Sequence, residues 1–300
     1  MDMTHNKCCR HGASLRRRRR RRRKILRSII FSCSIIAVAV FVAVGSRMIR
    51  SGDGRTNKYD VEAGNNTYNN AVIENSKISE KNKIQNEQSM LDDIMNSTQY
   101  PKQLQELALK NEEALEFVYD YPTEHVKEHT IDLTEEASMD SVPLFVQWDK
   151  RWGYEKYSGN FFAASGCGPT TLSMVVVYLT HNRDASPIAV AKYSKEAGYS
   201  VDGSGSSWTL ISEGCRHYGV KAKTVALDES RMKAEIDAGH PIVVNVGPGD
   251  FTDTGHFMVI TGYDDEGFSI NDPNSIEKSG KRWLFKNISS QIRAVWSMYV

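Results

Sequence analysis

Ser165-Gly166-Cys167-Gly168-Pro169-Thr170-Thr171, followed by the apolar run Leu172-Ser173-Met174-Val175-Val176-Val177-Tyr178-Leu179, reads as a tight turn that delivers a cysteine to the start of a buried helix. Gly166 and Gly168 allow backbone to crowd close to the sulfur. Pro169 suits the first helical position, where its missing N–H would be unpaired anyway. The run behind it is apolar nearly all round, so the helix is expected to be buried on most sides. A helix N-terminus carries roughly half a positive charge, which favours thiolate over thiol. The turn therefore marks both the core of a domain and a candidate nucleophile.

Working outward, the composition of a globular core begins near Val142. Pro187–Ala197 and Trp208–Tyr218 are further helix candidates, the second stopped by Gly219. Asp228 can cap a helix that ends near Gly239. Strands then dominate: 242–246, 257–261, 267–271, 283–285 and 294–299 are β-rich runs between turn-rich segments. Helices first and strands later predict an α+β domain over 141–300, one helical layer on an antiparallel sheet.

A thiolate nucleophile needs a base and a group that orients the base. Of the eight histidines, His5 and His11 fall in the N-terminal tail, His125 and His129 precede the core, and His181 ends the Cys167 helix. His217 lies on a helix and His240 follows a helix exit, which leaves His240 as a fallback base. His256 opens a strand after Gly255, and Gly255 is expected to clear space beside it. Asp272 ends the next strand, in Asn271-Asp272-Pro273. Two strands joined by the turn Asp264-Asp265-Glu266-Gly267 are antiparallel neighbours, so His256 falls beside Asp272. A carboxylate there fixes the tautomer and orientation of the imidazole. Singly, each residue has a plain structural explanation; in the order Cys, His, Asp with hairpin spacing they read as one constellation. Cys215 sits mid-helix without a glycine turn and reads as core. Trp148, Trp152, Tyr154 and Tyr157 read as core before cleft lining.

The N-terminal half is organised differently. Residues 1–27 carry twelve Lys and Arg against Asp2, a net +11, while the whole chain is +1. The remainder is therefore acidic, and the basic balance belongs to one tail. Residues 28–45 follow without a charge, long enough for a spanning helix of roughly 17–25 residues. Arginines before the span hold that side in the cytoplasm and place residues from 46 onward outside. A cleaved signal peptide is the competing reading, and it too exports the later part. A nucleic-acid role for the arginine run is set aside because of its position against the span. The five cysteines show neither metal-ligand spacing nor a disulfide framework, and no cofactor is expected. Residues 46–90 are too poor in large apolar groups to build a core and read as a flexible stalk. Residues 91–140 read as a short helical region. In it Pro101 starts one helix with Leu104, Leu107 and Ala108 on a face, and Asn111 caps a second that Pro122 closes.

The blocks Pro143-Leu144-Phe145-Val146-Gln147-Trp148-Asp149-Lys150-Arg151-Trp152-Gly153-Tyr154, Ser165–Thr170, Gly255–Tyr263 and Asn271-Asp272-Pro273 resemble the C-thirty-nine-like cysteine peptidases, a papain-like and bacteriocin-processing-related family. The resemblance covers roughly residues 142–300. It implies a papain-like fold with Cys167 as nucleophile, His256 as base and acid, and Asp272 as orienter. It also implies that Gln147 donates to the oxyanion hole, with the Cys167 backbone N–H. The expected function is a membrane-anchored, extracytoplasmic peptidase acting on a peptide or protein substrate. A cell-wall amidase, an acyl transferase or a non-catalytic surface-binding module are the alternatives. The related leader-cutting domains are fused to ATP-driven exporters. This sequence shows no phosphate-binding loop, so cleavage after double-glycine leaders is not carried over.

Overall fold

The computed structural model describes residues 58–300, with side chains from residue 77 onward. The basic tail and the apolar run 28–45 lie outside the described residues, and within them no helix is long and apolar enough to cross a membrane.

Lys58–Asn96 forms helix α1, which corrects the flexible stalk expected up to residue 90. Low hydrophobicity showed only that this stretch cannot build a core. Helical hydrogen bonds are local, and no proline interrupts the run. From 77 to 89 its side chains are almost all exposed; near its end Met90, Leu91 and Ile94 join a small apolar cluster. That cluster is completed by α2 (Lys102–Lys110), whose Leu104, Leu107 and Ala108 are buried as the spacing predicts. Asn111 caps the next turn by accepting the Glu113 N–H, and a short helix Leu115–Tyr119 follows. Pro122 does not close that helix. It sits in the first turn of another, Tyr121–Glu124, where a missing N–H costs nothing.

The remaining chain forms α3 (Cys167–Thr180), α4 (Pro187–Glu196) and α5 (Glu229–Asp237) over a six-stranded sheet. Its strands are β1 (Lys221–Thr224), β2 (Ile242–Val246), β3 (His256–Asp264), β4 (Gly267–Asn271), β5 (Arg282–Trp283) and β6 (Ile292–Tyr299). They lie in the order β1-β6-β2-β3-β4-β5, and every pair is antiparallel. The fold is α+β with an antiparallel sheet.

Period-two alternation divides the sheet's side chains between two cores. Val243, Phe257, Val259, Trp296 and Met298 pack with Leu172 and Met174–Val177 of α3. Val244, Met258, Ile260, Ile270 and Val295 pack on the opposite side with Met232 of α5 and Ile288. The single helical layer expected from sequence is thus corrected: both faces are covered, and all five residues of β2 are buried. The stretch read as a helix from Trp208 to Tyr218 is broken at Glu213 into Thr209–Ser212 and a 3-10 segment Gly214–Tyr218. Residues 285–288, partly read as strand, form a helical turn, and β1 carries too few apolar residues to announce itself.

One irregularity of register bears on function. In the β3–β4 hairpin Ile260 pairs with Ile270 and Gly262 with Ser269, which leaves Thr261 unpaired as a one-residue bulge. Beyond the bulge Val259 pairs with Asn271, so the next residue, Asp272, comes into line with Met258. Met258 and His256 are two apart on one strand and share a face. Without the extra residue Asp272 would align with Val259 and turn to the other face.

Candidate active site

The turn before α3 is crowded in a way that only glycine permits. A Cβ on Gly166 would lie 2.6 Å from the Phe162 ring, and one on Gly168 2.6 Å from the Ser206 hydroxyl oxygen. Gly166 thus makes room for a core phenylalanine, and Gly168 for the ribbon formed by Ser200–Val201 and Gly205–Ser206. The Ser165 hydroxyl donates to the Tyr157 carbonyl at 2.8 Å and holds the turn from the other side. Cys167 opens α3 itself, so Pro169 is the third helical residue and not the first, still within the turn whose N–H groups are unpaired. At Gly255 a Cβ would meet nothing within 4 Å apart from its chain neighbours.

His256 and Asp272 are both buried, and His256 Nε2 lies 2.7 Å from Asp272 Oδ1. The same Oδ1 accepts the Asn274 N–H at 2.8 Å, an Asx turn that fixes the carboxylate. Among the described residues Asp272 Oδ2 has no hydrogen-bond partner. The imidazole also meets the Cys167 thiol, which receives the backbone N–H groups of Phe257 and Gly168 as well.

Charge follows from this arrangement. Burial opposes ionisation of the Cys167 thiol, but the hydrogen bond and charge of His256, with the two backbone N–H groups, bring its pKa below the ordinary thiol value. Burial likewise opposes a charge on His256. The Asp272 carboxylate and the cysteine sulfur outweigh it and raise the imidazole to about 10. Both shifts favour a thiolate–imidazolium pair. Cys215 is the contrast: burial pushes it up to about 11, as fits a core thiol.

Gln147 is buried between the two halves of the site. Its backbone N–H donates to the Pro273 carbonyl at 2.7 Å, and its Nε2 donates to the Ala163 carbonyl at 2.8 Å. A longer contact of 3.4 Å runs from Nε2 to Asn274 Oδ1. The side-chain amide therefore ties the nucleophile turn to the Asp272 loop. His240 stands 3.2 Å from Glu235 and packs on Tyr299, and it takes no part in this cluster. His181 contacts the Ala137 carbonyl, His125 stacks on Tyr121, and His217 stacks on Tyr193. Trp152 and Tyr157 are core, while Trp148 and Tyr154 pack against the cluster built around α2.

Sequence reasoning missed Asn274, and with it Asn111 and Glu113. Asn111 Nδ2 donates to the Asn274 carbonyl at 2.9 Å and to its Oδ1 at 3.1 Å. The only available signal was Asn274 itself, two residues after an aspartate in a turn-forming Asn-Asp-Pro-Asn run. Among the described residues no cluster of His, Cys, Asp or Glu is placed to hold a metal ion.

No curated protein matches the chain. Among solved structures it is similar to the peptidase domain of Streptococcus ComA, a bi-functional ABC transporter involved in a quorum sensing pathway. The identity is 18%, the match covers 53% of this chain and 96% of that one, and the TM-score is 0.39. It is also similar to a C39-like peptidase from Bacillus anthracis, at 16% identity, 53% and 95% coverage and a TM-score of 0.34. The sequence model of the Peptidase_C39 like family matches residues 139–300. That stretch is more than half of the chain and holds Cys167, His256, Asp272 and Gln147, and the chain belongs to the Peptidase_C39 like family.

Proposed function

We propose that the chain is a cysteine peptidase that hydrolyses peptide bonds through Cys167, His256 and Asp272. Membership of a peptidase family supports a peptidase-type activity on a peptide or protein substrate. The observation that carries the finer reading is the buried His256 ring, with the Asp272 carboxylate 2.7 Å from Nε2 and a hydrogen bond between the ring and the Cys167 thiol.

In this reaction the Cys167 sulfur attacks the scissile carbonyl carbon, and a C–S bond forms as the carbonyl oxygen becomes an oxyanion. The Cys167 backbone N–H and the Gln147 side-chain amide stabilise that oxyanion. The Gln147 N–H held only by the long contact to Asn274 is the one that turns to it. The C–N bond breaks as His256 gives its proton to the leaving amine. His256 then takes a proton from water, whose oxygen attacks the thioester and releases the acid and the thiolate. Asp272 keeps the ring aligned through both halves. The twelve basic residues before the uncharged run 28–45 support a single-pass anchor with this domain outside the cell.

Incubation of the full-length chain with an unbiased peptide library, and separately with muropeptides, tests the reading. Cleaved library peptides with new amino termini are the expected result; cleavage of muropeptides alone would replace the peptidase with a cell-wall hydrolase. The pH dependence is a second check. Cys167 loses its proton below the ordinary thiol value of about 8.5 and His256 keeps its own to about 10. The kcat/KM profile is therefore a bell with its alkaline limb near pH 10, and iodoacetamide labels Cys167 at acid pH where Cys215 stays unlabelled. Equal labelling of the two cysteines would remove the proposed ion pair.

A further inference from the structure

The loop that carries Asp272 is gripped from outside the family domain. Residues 272–275 leave β4 in a turn closed by the Ser275 N–H on the Asp272 carbonyl at 3.1 Å, and lead into α6, the short helix Ile276–Ser279. On the inner side they are held by Gln147 and by the Trp148 indole N–H, which reaches the Asn274 carbonyl at 3.3 Å. On the outer side the partner is the turn that follows α2. One carboxylate oxygen of Glu113 accepts the Ser275 hydroxyl. The other accepts the N–H groups of Ile276 at 2.7 Å and Glu277 at 3.0 Å. Those two N–H groups belong to the first turn of a helix and have no partner within it. Asn111 adds its two bonds to Asn274, the residue whose N–H fixes Asp272 Oδ1.

Five bonds thus run from two side chains, Asn111 and Glu113, onto four consecutive residues, Asn274 to Glu277. Both side chains lie before residue 139, where the match to the family begins. The three that the Glu113 carboxylate accepts are charge-assisted, the stronger kind, and with the two from Asn111 they leave the loop little freedom. A shift of about 1 Å in a supporting group can cost about a hundredfold in rate. We propose that Glu113, seconded by Asn111, is a positioning residue that clamps the 272–277 loop and so holds Asp272 against His256. The inference rests on the reading of Cys167, His256 and Asp272 as the reacting residues. It makes the region before residue 139 part of the working enzyme and not a mere spacer.

The test compares the full-length wild type with Glu113→Ala, Asp272→Ala, their double variant and Tyr154→Phe. Tyr154→Phe removes the 2.7 Å bond from the Tyr154 hydroxyl to the Phe117 carbonyl, so it loosens the same helical region without touching the loop. Three readouts are taken: kcat and KM on a cleaved peptide, the acid limb of Cys167 alkylation by iodoacetamide, and the melting temperature. In Glu113→Ala, kcat falls at least tenfold with KM within twofold, and the acid limb moves up toward that of an ordinary thiol. The loss vanishes in the Asp272→Ala background, because a residue that acts through Asp272 has nothing left to position. Tyr154→Phe lowers the melting temperature and leaves the acid limb in place. An unmoved acid limb in Glu113→Ala overturns the proposal. So does an equal loss with and without Asp272, or a Tyr154→Phe variant that moves the limb as far as Glu113→Ala does. A wild type that neither hydrolyses peptide nor alkylates at acid pH would instead sink the peptidase reading, which keeps the two failures apart.

Discussion

Cys167→Ala leaves a folded protein whose peptide hydrolysis is lower by about 10⁴-fold or more, about 5 kcal/mol in transition-state stabilisation. The size of the effect follows from the chemistry. Without the sulfur no thioester forms, and only whatever binding and oxyanion stabilisation the site retains can act on the uncatalysed reaction. The fold survives because the sulfur sits at the rim of the core. Cys167 is only packed against the main apolar cluster, while Leu172 and Met174–Val177 behind it form the cluster itself. Initial rates on a cleaved library peptide, with circular dichroism and thermal melts on the same sample, check the expectation. Hydrolysis at the wild-type rate would show that the sulfur is not the nucleophile.

At Asp272 two substitutions separate two roles of the carboxylate. Asp272→Ala leaves the His256 ring without its 2.7 Å partner in a buried site, and kcat falls by about 10²–10⁴-fold. Asp272→Asn keeps an oxygen that can accept from Nε2, so orientation is largely retained and much of the loss is recovered. What it removes is the negative charge that, against burial, raises His256 to about 10. The sign is fixed: a base whose raised pKa depends on a neighbouring anion loses its proton earlier when the anion goes. The alkaline limb of the kcat/KM profile therefore moves down from about pH 10 toward the ordinary imidazole range near 6.5. Profiles of the two variants from pH 5 to 11 read the result. An unmoved limb in Asp272→Asn would mean that the carboxylate does not set the ionisation of His256.

The parts of the domain that bury apolar residues with a clear period were legible in the sequence. The helix after Cys167, the capped helices beginning at Pro187 and just after Asp228, and the strands at 242–246 and 267–271 lie where pattern and caps put them. That His256 and Asp272 lie on neighbouring strands was legible from the short turn alone; the bulge at Thr261 that brings both to one face was not, because no local pattern marks it. Other features depend on contacts no local pattern carries. β1 reads Lys-Ala-Lys-Thr and is a strand only because β6 offers it a ladder. The second covered face of the sheet comes from residues such as Met232 and Ile288, each from a segment too short to announce a layer. Lys58–Asn96 is helical without an apolar stripe over most of its visible length, so composition pointed to a coil. At the site, Asn111 and Glu113 stand more than 160 positions from the residues they hold; the sequence marks Asn111 as a cap, but nothing nearby marks the hold on the Asp272 loop.

The unpaired Thr261 uncouples the site from the end of its own hairpin. Residues on the His256 side of it are aligned by β2 and by one another, so the turn at 264–267 can accept inserted residues without rotating His256 or Asp272. A short epitope or a cysteine for fluorophore attachment placed between Asp265 and Glu266 therefore leaves turnover intact. Excision of Thr261 does the reverse: it moves Asp272 to the opposite surface of the sheet and, on the proposed mechanism, silences the protein while Cys167, His256 and Asp272 are all still present in the chain.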